Sequence, residues 1–168
     1  MHRFSRACLA FIVPAALMAP VAAAAAPKDD AEIRALEAAF TKAVIAKDVD
    51  AVMKVYSPDI FVFDLVPPRQ YVGAAAYRKD WQETFGVIKG PNNFAIKDLV
   101  IASDGTIAYS HSIQSMSGVD TKGQRLAFVV RVSDVYRKAK GGWRIVQEHV
   151  SVPVDMANGA KPDIMSKP

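Results

Sequence analysis

The run FAIKDLVIASDGTIAYSHSIQSMSGVDTKGQRLAFVVRVSDVYRKAKGGWRIVQEHVSV, residues 94–152, decides the fold. Its β-branched and aromatic residues gather into four stretches: Phe94–Ser103, Thr106–Met116, Arg125–Lys138 and Trp143–Val152. The breaks between them carry turn chemistry, Asp104-Gly105, Gly118–Gly123 and Gly141-Gly142. Long strands joined by short connections of this kind predict an antiparallel meander.

Upstream of this run the hydrophobic spacing becomes helical. Asp29 or Asp30 is placed to cap a helix in which Ile33, Leu36, Phe40 and Val44 share one face. Lys47-Asp48-Val49-Asp50 starts a short second helix that ends near Tyr56, and Ser57-Pro58-Asp59 breaks it before a strand, Ile60-Phe61-Val62-Phe63-Asp64. After a turn at Pro67-Pro68, Gly73-Ala74-Ala75-Ala76 opens a third helix with Tyr77, Trp81 and Phe85 on one side, closed by Gly86 and Gly90-Pro91. Helices first and long strands last predict an α+β domain, with the helices over one face of a curved sheet. The domain is expected over residues 27–156, and 157–168 is expected to be a disordered tail.

Residues 1–26 read as a removable secretory signal: Arg3 and Arg6, the apolar run Ala7–Val13, and the small residues Val21–Ala26. Pro14 and Pro20 interrupt the stretch, against a membrane-spanning helix. The one cysteine, Cys8, falls inside the signal, so the mature domain is expected to be soluble and free of disulfides in a periplasmic or secreted setting. The formal charge of +4 includes Arg3 and Arg6, and the remaining basic residues are scattered, which is no nucleic-acid signature. The three histidines, His2, His111 and His149, show no metal-ligand spacing, and phosphate-loop, dinucleotide and Gly-x-Ser-x-Gly motifs are absent. No metal, no cofactor, no nucleic-acid partner and, once the signal is removed, no membrane contact are expected.

Side chains on a strand alternate faces, so parity selects the pocket residues. Phe128, Val130, Val132, Asp134 and Tyr136 form a mostly apolar set that reads as core-facing. Tyr109, His111, Ile113 and Ser115 share a face of the preceding strand, and Val146, Glu148, Val150 and Val152 share a face of the last. If these faces line one pocket, Asp64, His111, Asp134 and Glu148 converge among Tyr56, Tyr77, Trp81 and Tyr136, where burial would raise carboxyl pKa values. Each candidate has a plainer alternative. Asp64 would then merely end a strand, His111 would be a core histidine, and Asp134 would be an exposed residue or a partner of Arg131 or Arg137. Glu148 and His149 face opposite ways, so only one of them lines a pocket.

The segments Asp59–Asp64, Tyr71-Val72-Gly73, Val135-Tyr136-Arg137-Lys138, Gly142-Trp143-Arg144-Ile145-Val146 and His149-Val150-Ser151 together resemble the SnoaL-like branch of the nuclear transport factor 2 (NTF2-like) superfamily. Ketosteroid-isomerase homologues belong to the same group. The resemblance covers about residues 30 to 155 and implies an NTF2-like cone, three N-terminal helices packed on a strongly curved, mostly antiparallel sheet that encloses a pocket. Carried over residue by residue, it sets Asp64 where the isomerase has its proton-shuttling aspartate and Asp134 where it has its neutral acid. Phe40 stands where a tyrosine would donate to the oxyanion, and Trp81 where a supporting tyrosine would be. Losing one oxyanion donor costs about two to three orders of magnitude in rate, which points away from strict steroid isomerisation.

The resemblance therefore implies a cofactor-independent isomerase, dehydratase or hydrolase type of enzyme on a small hydrophobic substrate. Asp64 is the expected general base, Asp134 and His111 are expected to stabilise or protonate the oxygen, and Tyr56, Tyr77, Trp81, Tyr136, Glu148 and Phe40 are expected to contact the ligand. The alternative it allows is a noncatalytic periplasmic module holding an apolar or carboxylate ligand in the same cavity. It also implies a homodimer through the outer sheet face, where Arg131, Ser133, Gln147 and His149 would lie.

Overall fold

The structure, a computed structural model, describes residues 27–89 and 92–165. The expected signal at 1–26 and the last three residues of the expected tail lie outside the described residues.

Helix α1 (Pro27–Ala46) begins on a proline, whose missing N–H and fixed φ suit a first helical turn. Asp29 therefore sits inside the first turn and not at the cap position expected for it. It is buried, bonded to Lys138 Nζ at 2.6 Å and to Ser103 Oγ at 3.3 Å, which ties the start of the helix to the sheet. The buried stripe of α1 is Ile33, Glu37, Phe40 and Val44. Asp48 caps the short α2 (Val49–Met53), accepting from the Ala51 N–H at 2.9 Å.

Strand β1 (Tyr56–Phe63) starts four residues earlier than the sequence suggests, and its Pro58 lies within an irregular stretch of the pairing between Tyr56 and Phe61. The two-residue β2 (Tyr71–Val72) pairs with β1, and Gly73, at φ 82°, turns the chain into α3 (Ala74–Val87) while its N–H bonds to Ile60 O. Helix α3 buries Tyr77, Asp80, Trp81 and Phe85 and continues through Gly86.

Strands β3 (Asn93–Ser103), β4 (Ile107–Val119), β5 (Arg125–Ala139) and β6 (Gly142–Ser151) form the expected meander. The sheet order is β2-β1-β6-β5-β4-β3, antiparallel throughout except for the parallel β1–β6 pair. Register shifts in β3, between Lys97 and Val100, and in β6 bend the sheet around the helices. Phe40 stands at the centre of the core, edge-on to Tyr56, Trp81 and Phe94 with ring centroids 5.6–6.1 Å apart.

The segment expected to be a tail folds back instead. After the short pair β7 (Val154–Asp155) and β8 (Lys161–Pro162), the Ile164 carbonyl accepts the Val129 N–H at 2.8 Å. The backbone of β5 that β6 does not cover is thereby given a partner.

Candidate functional site

Strand pairing places the acids. On β5, Val130, Val132, Asp134 and Tyr136 all face inward, as alternation predicts. Antiparallel partners share a face, so the β4 residues opposite them, Ser110 against Asp134 and Ser112 against Val132, face inward too. His111 therefore points outward and is exposed, paired with Ser133, and it does not join the acids. The inward face of β4 is Ala108, Ser110, Ser112, Gln114 and Met116, the parity opposite to the set containing Tyr109 and His111.

Strand β6 departs from simple alternation. Asp134 pairs with Glu148 and Tyr136 with Ile145, so β6 advances three residues where β5 advances two. The extra residue lets Trp143 and Ile145 on one side of the bulge, and Glu148 on the other, all reach the core. Val146 does not share the face of Glu148. In the parallel β1–β6 pair Val62 lies beside Glu148, and Asp64, two residues beyond Val62, projects from the same face near it.

These elements enclose a cavity of about 370 Å³. Asp64, Tyr77, Trp81, Phe40 and Glu148 line it, with apolar walls from Phe94, Met116, Leu126, Phe128, Val130 and Val132. Ile164 of the returning C-terminal segment completes the rim. Tyr56, Asp134 and Tyr136 lie deeper and do not line the cavity.

Two hydrogen-bonded groups of acids and tyrosines result. In the first, the Tyr77 hydroxyl lies between two carboxyls, in a short contact with Glu148 Oε1 and 3.3 Å from Asp64 Oδ2. The Tyr56 hydroxyl donates to Glu148 Oε2 at 3.0 Å, and the Leu65 N–H to Asp64 Oδ1 at 2.5 Å. In the second, the Tyr136 hydroxyl meets Glu37 Oε1 at 2.7 Å, Ser110 Oγ at 2.9 Å and Asp134 Oδ2 at 3.4 Å. Asp134 Oδ1 is buried with no partner among the described residues.

Burial dominates the electrostatics. It pushes Glu148 up to about 8, against the bonds from Tyr77 and Tyr56 and with the help of the Asp64 and Glu37 charges. Glu37 rises to about 7 for the same reason. Asp134 is pushed well above the carboxylate range, first by burial and then by Glu148 and Glu37. Asp64, only half-buried, is raised by burial, while the Leu65 N–H and the Tyr77 hydroxyl favour its charged form. The site thus sets a carboxyl that burial pushes up to about 8, Glu148, beside a more accessible one, Asp64.

Sequence reasoning reached Asp64, Tyr77, Trp81, Phe40 and Glu148 but passed over Glu37, Ser110 and the Asp80–Tyr71 pair, whose hydroxyl-to-carboxyl distance is 2.7 Å. A signal existed for Glu37. It falls on the stripe of Ile33, Phe40 and Val44, where an acid among apolar residues needs a buried partner. Asp80 likewise sits on the buried side of α3 between Tyr77 and Trp81. Among the described residues no group of three or more His, Cys, Asp or Glu side chains is arranged to hold a metal ion.

Three helices against a bent, mostly antiparallel sheet with a pocket between them define an NTF2-like α+β domain. Residues 33–155 match the SnoaL-like domain, and the chain belongs to that family. Its structure is similar to an NTF2-like protein from Pseudomonas putida KT2440, at 28% identity and a TM-score of 0.77, covering 86% of this chain and 99% of that one. It is also similar to an NTF2-like superfamily protein from Salmonella enterica serovar Typhimurium LT2, at 20% identity and a TM-score of 0.70, over 80% and 97% of the two chains. A ketosteroid isomerase-like protein from Erwinia carotovora atroseptica SCRI1043 shares the fold at 20% identity and a TM-score of 0.64, over 74% and 96%. No curated protein matches the sequence.

Proposed function

We propose that this domain is an exported, cofactor-independent acid–base enzyme of the isomerase or lyase type, acting on a small hydrophobic substrate with Asp64 as base and Glu148 as acid. The observation that carries the reading is the Tyr77 hydroxyl held between these two carboxyls at the wall of an apolar cavity. Asp64 takes a proton from the carbon beside a substrate carbonyl, and Glu148 gives its proton to the carbonyl oxygen. The products are an enol, a neutral Asp64 and a Glu148 carboxylate that accepts from Tyr56 and Tyr77. The Tyr77 hydroxyl then receives a proton from Asp64 and passes its own to Glu148, restoring both groups. Asp134, which the sequence suggested as the acid, supports Glu148 from beneath in this scheme, and His111 has no part in it.

The test is deuterium exchange at the carbon beside the carbonyl of a simple ketone, benzylacetone, in heavy water. The wild-type protein accelerates exchange, and Asp64→Asn loses at least about a hundredfold of that acceleration, the low end of what a positioned base contributes. Equal exchange with both proteins, or none with either, contradicts the proposal.

Phe40 favours the second reading, a noncatalytic binder. It fills the centre of the core edge-on to three aromatic rings and supplies no hydrogen-bond donor to an oxyanion. Under that reading ligands bind and are released unexchanged.

The composition of residues 1–26 supports export to the periplasm or medium. A homodimer through the outer sheet face completes the proposal. Phe63, His149, Ser133, His111 and Val100 form one cross-strand row there, and Phe63, Val100 and the adjacent Tyr109 are 42%, 49% and 56% exposed.

A further inference from the structure

The mouth of the cavity is apolar on the outside as well as within. Leu65 and Val66 after β1, Val87 at the end of α3 and Ile164 of the returning C-terminal segment all line the cavity, yet they are 40%, 50%, 54% and 41% exposed. A single exposed apolar residue is ordinary, but these share the rim of one opening and form a patch. Met165, next to Ile164, extends it and is exposed too.

Each rim segment also carries an exposed basic residue. Arg69 follows Val66 in the same turn, Lys89 lies just beyond Val87, and Lys161 just precedes Ile164. The turn between β4 and β5 adds Lys122, and it is tied to the rim where the Thr121 N–H donates to Val87 O at 3.1 Å. The acids on these segments are Glu83, Asp120 and Asp163. Asp120 Oδ1 accepts the Lys122 and Gln124 N–H groups, both at 2.8 Å, and Asp163 Oδ1 accepts the Met165 N–H at 3.2 Å, so these two carboxyls turn toward their own backbone.

We propose that this rim docks on an anionic lipid bilayer, with Leu65, Val66, Val87 and Ile164 at the acyl boundary and the four basic residues among the lipid phosphates. Apolar tips ringed by cations match a surface that is negative outside and apolar beneath. A second copy of this chain fits less well, because two such rims face to face bring like charges together. Among the described residues no helix is long and apolar enough to cross a membrane, so the contact is with the bilayer surface. The sequence alone points to no membrane contact because the patch is assembled from separate segments, none of them an apolar run. A ligand dissolved in the bilayer then reaches the cavity without crossing water, whether or not the cavity acts on it.

Co-sedimentation tests this, with vesicles of phosphatidylcholine alone and of phosphatidylcholine mixed equally with phosphatidylglycerol. The chain is taken from Pro27, since the helices and the sheet all lie within residues 27–165 and the apolar stretch before them is thereby removed. At low salt the mixed vesicles bind the protein at least about tenfold more tightly than the neutral ones, and added salt weakens the binding. Arg69→Glu with Lys122→Glu, and separately Val66→Ser with Val87→Ser, each lower binding to the mixed vesicles about tenfold or more, with circular dichroism unchanged because all four side chains are exposed. Failure to bind the mixed vesicles, equal binding to both kinds, or variants that bind like the wild type overturns the proposal. A dimer in the absence of lipid that Val66→Ser with Val87→Ser abolishes also overturns it, and assigns the rim to a second copy.

Discussion

Asp134 and Glu148 are direct cross-strand partners on β5 and β6, both facing the core, 3% and 4% exposed. Two carboxyls so placed do not both ionise at ordinary pH, and Glu37 joins the cluster through Tyr136. The fold therefore holds protons in its core, and its stability depends on them.

Stability should fall as the pH rises. Glu37 and Glu148 have folded-state pKa values raised to about 7 and about 8, so between their unfolded values near 4.5 and these figures the folded chain binds more protons than the unfolded one. The favourable contribution is complete below the unfolded value and is lost through that window, at about 1.4 kcal/mol per pH unit for each acid. Urea titrations at pH 5, 6.5 and 8 check this, and a midpoint that rises with pH contradicts it.

Replacing Glu148 separates charge from hydrogen bonding. Glu148→Gln keeps an acceptor for the tyrosines and cannot ionise, so it should flatten part of the pH dependence and match or exceed the wild type at pH 8. Glu148→Ala leaves the Tyr56 hydroxyl without its acceptor in the core and the Tyr77 hydroxyl with only Asp64 Oδ2 at 3.3 Å, and should lose about 2 kcal/mol or more at pH 5. Denaturant midpoints of the two variants read the difference.

Phe40→Ala should cost about 3–5 kcal/mol, because it empties the position where three aromatic rings meet. A loss below 1 kcal/mol in urea unfolding would show that α1 does not anchor the core through this ring.

Ser133 stands between His111 and His149 at the middle of the outer sheet face. Sedimentation should find a dimer at micromolar concentration, and Ser133→Asp, which buries a charge in the proposed interface, should convert it to monomer with unchanged circular dichroism. A wild-type monomer, or a variant that remains dimeric, removes this interface.

Much of the architecture could be read from local pattern. Turn residues between β-rich stretches mark the meander, and plain alternation gives the inward set on β5, so Asp134 and Tyr136 face the core as expected but lie beneath the cavity and do not line it. The β4 face was misread because its inward residues, Ser110, Ser112 and Gln114, are polar and look solvent-facing until their partners on β5 are known. The bulge at Val146 is a property of the pairing and not of the β6 sequence, so alternation alone grouped Val146 with Glu148. The C-terminal segment carries little hydrophobic periodicity, and what orders it is a backbone bond to Val129 that no composition reveals.

Where the pocket proton resides decides which carboxyl can act as acid and which as base. Carbon-13 NMR titration of the side-chain carboxyls, with Glu148 assigned by its loss in Glu148→Gln and Asp64 by its loss in Asp64→Asn, measures this directly. Glu148 should keep its proton through neutral pH and release it near pH 8, with Asp64 ionising at lower pH. Titration of Glu148 near 4.5, like a free carboxyl, would contradict the assignment of acid and base.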